Sequence, residues 1–115
     1  MNIRSITLGI NWENQSQKGL AENVGEFMNS SRKAFSDKGI DVRTCRLSMS
    51  PINEYSQFSN SSARSIVGWV ADLCEKVGVR WFCVPFSLVN HNNPVEPARI
   101  ATEIINRYSN AFVNL

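Results

Sequence analysis

Apolar residues recur along this chain at two spacings that take turns. Between Ile3 and Ile10 the residues Ile6, Leu8 and Ile10 share one side while Ser5, Thr7 and Gly9 share the other, the period-two pattern of a half-buried strand. Asn11, Trp12, Glu13 and Asn14 make a polar connection, after which the spacing lengthens to that of a helix, with Leu20, Val24, Phe27, Met28, Ala34 and Phe35 on one stripe. Gly39 after Lys38 suits a helix C-terminus, and Val42 to Met49 reads as a second strand closed by Ser50 and Pro51. A loop, Ile52 to Asn60, leads to a helix capped by Ser61 or Ser62. It carries Ala63, Ile66, Val67, Val70, Leu73, Cys74 and Val77 and ends at Gly78 before a strand from Arg80 to Phe86. The pattern then repeats. Asn90, His91, Asn92, Asn93 and Pro94 form a turn-rich loop, Pro97 suits a first helical turn, and Ile100, Ala101, Ile104, Ile105 and Tyr108 form the last stripe before a strand from Ala111 to Leu115.

The resulting order, β-α-β-α-β-α-β, predicts an α/β fold with a four-stranded, mainly parallel sheet, residues 1–115 forming a single unit. If the strands lie in the order 1-2-3-4, right-handed crossovers put all three helices on one face; a reversal of order, as in doubly wound folds, covers both. Strand composition separates these. Strands covered on both faces read as nearly continuous apolar runs, yet here Cys45, Leu47 and Met49 oppose Thr44, Arg46 and Ser48. Likewise Phe82, Val84, Phe86 and Leu88 oppose Trp81, Cys83, Pro85 and Ser87, and Val113 and Leu115 oppose Asn114. One greasy face and one small or polar face suit a sector of a larger α/β barrel, with helices outside and a polar lumen within. A chain that stops on an apolar strand is expected to be incomplete by itself, because an uncovered edge invites association. The expected partner is a second copy or a separately encoded chain that completes the barrel.

Composition narrows the class without naming a reaction. With 43% hydrophobic and 19% charged residues this is ordinary globular material, and the net charge of +2 is dispersed, with no basic stripe or nucleic-acid motif, so nucleic acid is not expected as a partner. The apolar run from Ile6 to Ile10 is too short for a signal sequence, and nothing approaches the roughly 20 apolar residues that span a bilayer. No membrane association and a cytoplasmic location are therefore expected. Cys45, Cys74 and Cys83 are odd in number and lack metal-type or CxxC spacing, which reads as three reduced thiols.

Ligands of parallel α/β sheets bind beyond the carboxyl ends of the strands, which here means Asn11, Trp12 and Glu13, then Ser48 and Ser50, then Ser87 to Asn93. Arg46 is the first candidate, since a guanidinium on a polar strand face can hold a small anion, a carboxylate or phosphate, through two parallel hydrogen bonds; the competing role is an ion pair with an acid from the rest of an assembly. His91, the single histidine, is the one imidazole that could serve acid-base chemistry, against a plain role as a solvated turn residue. Glu13 could act as a base or bind a cation, and Cys83 could be a nucleophile if a cation lowered its pKa, though a small packed thiol is the better reading. The serines lack a GxSxG setting, Gly9 stands alone rather than in a phosphate loop, and no carboxylate pair supports a metal site. The candidate substrate-binding set is Asn11, Glu13, Arg46, Ser48, Ser87 and His91; catalytic residues and cofactor stay unassigned.

Asn2-Ile3-Arg4-Ser5-Ile6-Thr7-Leu8-Gly9-Ile10, Arg46-Leu47-Ser48-Met49-Ser50-Pro51-Ile52, and Glu75-Lys76-Val77-Gly78-Val79-Arg80-Trp81-Phe82 running into Phe86-Ser87-Leu88-Val89 resemble successive segments of one uncharacterised family. It is the domain-of-unknown-function family seven-eleven, and Pro97-Ala98-Arg99-Ile100-Ala101 through Asn114 is similar to its next helix and strand. The resemblance covers essentially the whole chain and corresponds to the N-terminal portion of longer members. It implies an α/β barrel like that of pyruvate formate-lyase, and no settled activity. Cys83, Val84 and Pro85 depart from the small, glycine-rich residues expected there. Two functional expectations follow. Either the chain is a subunit or fragment of an α/β-barrel enzyme, lending a polar sheet face and strand-end loops to a shared small-molecule site, or it is a non-catalytic interaction domain that oligomerises through its terminal strand.

Overall fold

Two-sided strands need a partner layer on their apolar side, and the chain supplies it with three helices. The computed structural model describes residues 1–14, 18–54, 59–88 and 95–114. Strands β1 (Asn2–Ile10), β2 (Asp41–Met49), β3 (Trp81–Pro85) and β4 (Ala111–Asn114) alternate with helices α1 (Leu20–Ser36), α2 (Asn60–Val77) and α3 (Val95–Arg107). Single 3-10 turns, Trp12–Asn14 and Ile52–Glu54, follow β1 and β2. The strands form one sheet in the order β1-β2-β3-β4, and every pairing is parallel. That order removes the doubly wound alternative. With right-handed crossovers it sends each connection over the same face, and α1 packs on α2 and α2 on α3 as one layer.

The register aligns the strand parities. Ile6, Leu8 and Ile10 stand beside Cys45, Leu47 and Met49, Leu47 stands beside Phe82, and Phe82 and Val84 stand beside Ala111 and Val113. This face meets the helices. Leu47, Phe82 and Val84 are wholly buried against Ile66, Val67 and Val70 of α2, with Ile52 from the turn after β2 closing the same cluster. Helix α2 lies at the middle of the layer and buries most of its stripe, whereas α1 buries Val24 and Met28. Two residues expected on buried stripes are instead largely open, Phe27 at 48% and Ile105 at 55% exposure, and Ala34 is exposed as well. An outer helix of a single layer touches the sheet and one neighbouring helix, so the flank of its stripe has nothing to meet.

Helix α2 begins earlier than the sequence suggests. Its N-cap is Ser59, not Ser61 or Ser62: the Ser59 hydroxyl accepts from the Ser62 N–H at 3.1 Å, and the Ser62 hydroxyl accepts from the Ser59 N–H at 2.6 Å. Ser62 thus fills the place usually held by glutamate in a capping box. At the far end Gly78 takes φ 71°, the left-handed conformation that terminates helices, and the Val79 N–H reaches the Cys74 carbonyl at 2.9 Å. Among the described residues no helix is long and apolar enough to cross a membrane.

Candidate functional site

The second face of the sheet carries Thr7 and Gly9 from β1, Arg46 and Ser48 from β2, Trp81 and Cys83 from β3, and Phe112 and Asn114 from β4. No helix of the described residues lies on it. Strand parity puts a cation, hydroxyls, a thiol and two aromatic rings on one side of a sheet whose other side is the core. Thr7 pairs with Arg46 and Arg46 with Trp81; one row further on, Gly9 pairs with Ser48 and Cys83 with Phe112.

Arg46 lies at the centre. Its Cζ stands 5.3 Å from the centroid of the Phe112 ring, and Phe112 lies 5.2 Å from the Trp81 ring at a 46° tilt. The guanidinium of Arg80 covers Trp81 at 4.8 Å. These distances are in the range of cation–π attraction and tilted ring pairing. The Arg46 Nε is buried and has no hydrogen-bond partner, and among the described residues neither Arg46 nor Arg80 has a carboxylate in ion-pair range. A buried N–H without an acceptor costs about 1–3 kcal/mol. Phe112, the ring beside this guanidinium, is 44% exposed.

Cys83 is half-buried beside this group. Burial raises its thiol pKa, while a hydrogen bond with Ser48 and the charge of Arg46 pull the other way without cancelling that effect. The thiol is therefore the stable form near neutrality, which argues against Cys83 as a ready nucleophile. All three cysteines are free. Among the described residues there is no group of three or more His, Cys, Asp or Glu side chains placed to hold a metal ion.

The strand-end candidates sit apart from this centre. The Asn11 carboxamide oxygen accepts the Glu13 N–H at 3.0 Å, and both residues are exposed where β1 ends. Ser87 lies just past β3. Its backbone is held by Asn53, whose Nδ2 donates to the Ser87 carbonyl at 2.7 Å while its Oδ1 accepts the Ser87 N–H at 2.8 Å. His91 lies outside the described residues. Of the sequence-derived set, then, the structure brings Arg46 and Ser48 together with Cys83, and leaves Asn11, Glu13 and Ser87 along the carboxyl end of the sheet. Three contributors stand outside the sequence-derived candidate set, Trp81 among them although its strand already sets it on the polar face. Phe112 follows from the parity of β4, the same parity that sets Val113 toward the core, and Trp81 from the parity of β3. Asn53 sits in a connection whose lack of period gave no sign of burial.

The opposite, helical side has a groove of about 510 Å³ between α2 and α3, floored by Ala63, Val67, Ile100 and Ile104. Its rim is partly neutralised internally: Arg64 reaches Glu103 at 3.7 Å, and Arg99 pairs with Glu96 at 2.7 Å and Glu103 at 2.6 Å. The buried, unmet Nε of Arg46 makes the bare sheet face the better candidate.

A parallel α/β unit with sequential strands, one helical layer and one chemically mixed open face is the class these features define. Over residues 1–112 the chain matches the family described as Uncharacterised ACR (DUF711), and it belongs to that family. Comparison with curated proteins gave no match.

Proposed function

We propose that this chain is one wall sector of an α/β-barrel enzyme whose reaction is not yet assigned, its bare face turned toward a lumen that other strands complete. Sequential parallel strands with helices on one side are the local pattern of such barrels. Small and polar residues between two aromatics give that face the character of a lumen wall. The observation that carries the reading is Arg46: a cation on the uncovered face with its Nε buried and unmet, where an anionic small molecule would supply the missing acceptor. Asn11, Glu13, Ser48 and Ser87 would contribute from the face and the strand ends.

Light scattering coupled to size exclusion, on the chain alone and co-expressed with the products of neighbouring genes, tests the assembly. A partner that co-elutes and raises the unfolding midpoint is expected, and a stable monomer that recruits nothing overturns the reading. A second reading, a non-catalytic domain that self-associates, draws on the two open sheet edges. A homo-oligomer with no enclosed polar space would favour it.

A further inference from the structure

We infer that the ligand of the bare face is a planar carboxylate with an aromatic body, gripped edge-on by Arg46 and stacked on Trp81 and Phe112; this rests on the anion-site reading above. The guanidinium offers two edges for a carboxylate, and one of them pairs the Nε hydrogen with a neighbouring Nη hydrogen. That is the edge left without an acceptor at Nε. A group that meets both hydrogens lies in the plane of the guanidinium, close to the Phe112 ring whose centroid stands 5.3 Å from Cζ. A flat carboxylate keeps all its atoms in that plane beside the ring, whereas tetrahedral phosphate carries oxygens above and below it.

The rest of the ligand is constrained by what flanks the fork. Phe112 and Trp81, 5.2 Å apart and tilted by 46°, present ring faces and edges to an aromatic body, and such pairs contribute about 0.5–1.5 kcal/mol beyond the area they bury. Arg80, seated on Trp81 at 4.8 Å, extends the positive field along the same platform. Clearance comes from small neighbours: Ser48 and Cys83 share the row of Phe112, and a Cβ placed on Gly9 would meet nothing within 4 Å. Phe112 belongs to the four-residue strand β4 and is 44% exposed, so its side chain can turn to admit the ligand and close on it.

Titration of the full chain with benzoate, acetate, inorganic phosphate and benzyl alcohol, followed by NMR at the Arg46 Nε–H and the aromatic resonances, tests this. Benzoate is expected to bind about tenfold more tightly than acetate or phosphate, from added stacking on a shared fork. Arg46→Lys should weaken both carboxylates, and Phe112→Leu should abolish the advantage of benzoate while leaving acetate unchanged. Equal binding of benzoate and acetate, both dependent on Arg46, overturns the aromatic class and leaves the anion site standing. Phosphate binding as tightly as benzoate overturns the planar fork. Benzyl alcohol matching benzoate removes the role of charge, and no shift at Arg46 with any anion overturns the proposal and the anion site together.

Discussion

Asn53 shows how a single side chain can continue a sheet where the strands stop. The ladder between β2 and β3 pairs Arg46 with Trp81 and Leu47 with Phe82, and further along the Asn53 carboxamide imitates a strand by donating to and accepting from the Ser87 backbone. Asn53→Ala should cost about 2 kcal/mol in urea denaturation, since both hydrogen bonds go and the part-buried Ser87 backbone is left unmet. A loss under a few tenths would show that water replaces the carboxamide at no cost. Cys74 supplies a pH prediction at the same scale. Burial pushes its thiol from 9.0 up to about 12. Below pH 9 the thiol is protonated in both folded and unfolded chains and contributes nothing; above it the unfolded chain releases the proton while the folded one retains it, so stability falls as pH rises from about 9 toward 12. Replacing Cys74 with Ala should flatten that part of the profile in denaturation series, and at pH 8 alkylation followed by mass spectrometry should label Cys83 before Cys74.

At the scale of elements, helix α2 depends on its ends as well as on its buried stripe. Ser59→Ala removes one half of the reciprocal cap with Ser62 and should destabilise the fold by about 1 kcal/mol, read as a lower denaturation midpoint. Gly78→Ala should cost about the same, because φ 71° is strained for a residue with a Cβ; an unchanged midpoint for either variant would mean that the helix end is held by packing alone. Element types were legible in the sequence because period two and period 3.6 alternate without overlap. The start of α2 was not, since Ser59, Ser61 and Ser62 are chemically equivalent caps and Ser62 in the third position hides the usual glutamate signal. Phe27 and Ile105 were misplaced for a different reason: a stripe reports which side of a helix is apolar, and the number of neighbours decides how much of that side is covered. For the site, parity alone located Arg46 and Ser48, whereas the pairing of Arg46 with Phe112 depends on the register between strands, which no local pattern encodes.

The whole molecule is a slab with a core on one side of its sheet. Its radius of gyration, 15.3 Å, exceeds the roughly 13 Å of a compact domain of this length, as expected where one layer of helices covers one face. The edge of β4 permits a clean test of association. Residues alternate between facing the neighbouring strand and facing outward; Asn110 and Asn114 face β3, accepting from the Phe82 N–H at 3.2 Å and the Phe86 N–H at 2.7 Å, so the Val113 N–H points out of the sheet. Val113→Pro should therefore preserve the β3–β4 ladder, and with it the circular dichroism of the monomer, while weakening any assembly built by strand addition at this edge. An assembly whose mass in light scattering is unaffected would place the contact elsewhere.

The sequential strand order also bears on how the chain acquires its shape. Each strand pairs with the one made immediately before it, and the longest register, from Asn2↔Asp41 to Ile10↔Met49, belongs to the first two strands. No strand must wait for a distant segment before it can dock, which keeps loop-closure costs small at every step. The sheet can thus be laid down from its first strand onward as the polypeptide leaves the ribosome, each new β-α unit using the preceding one as its template.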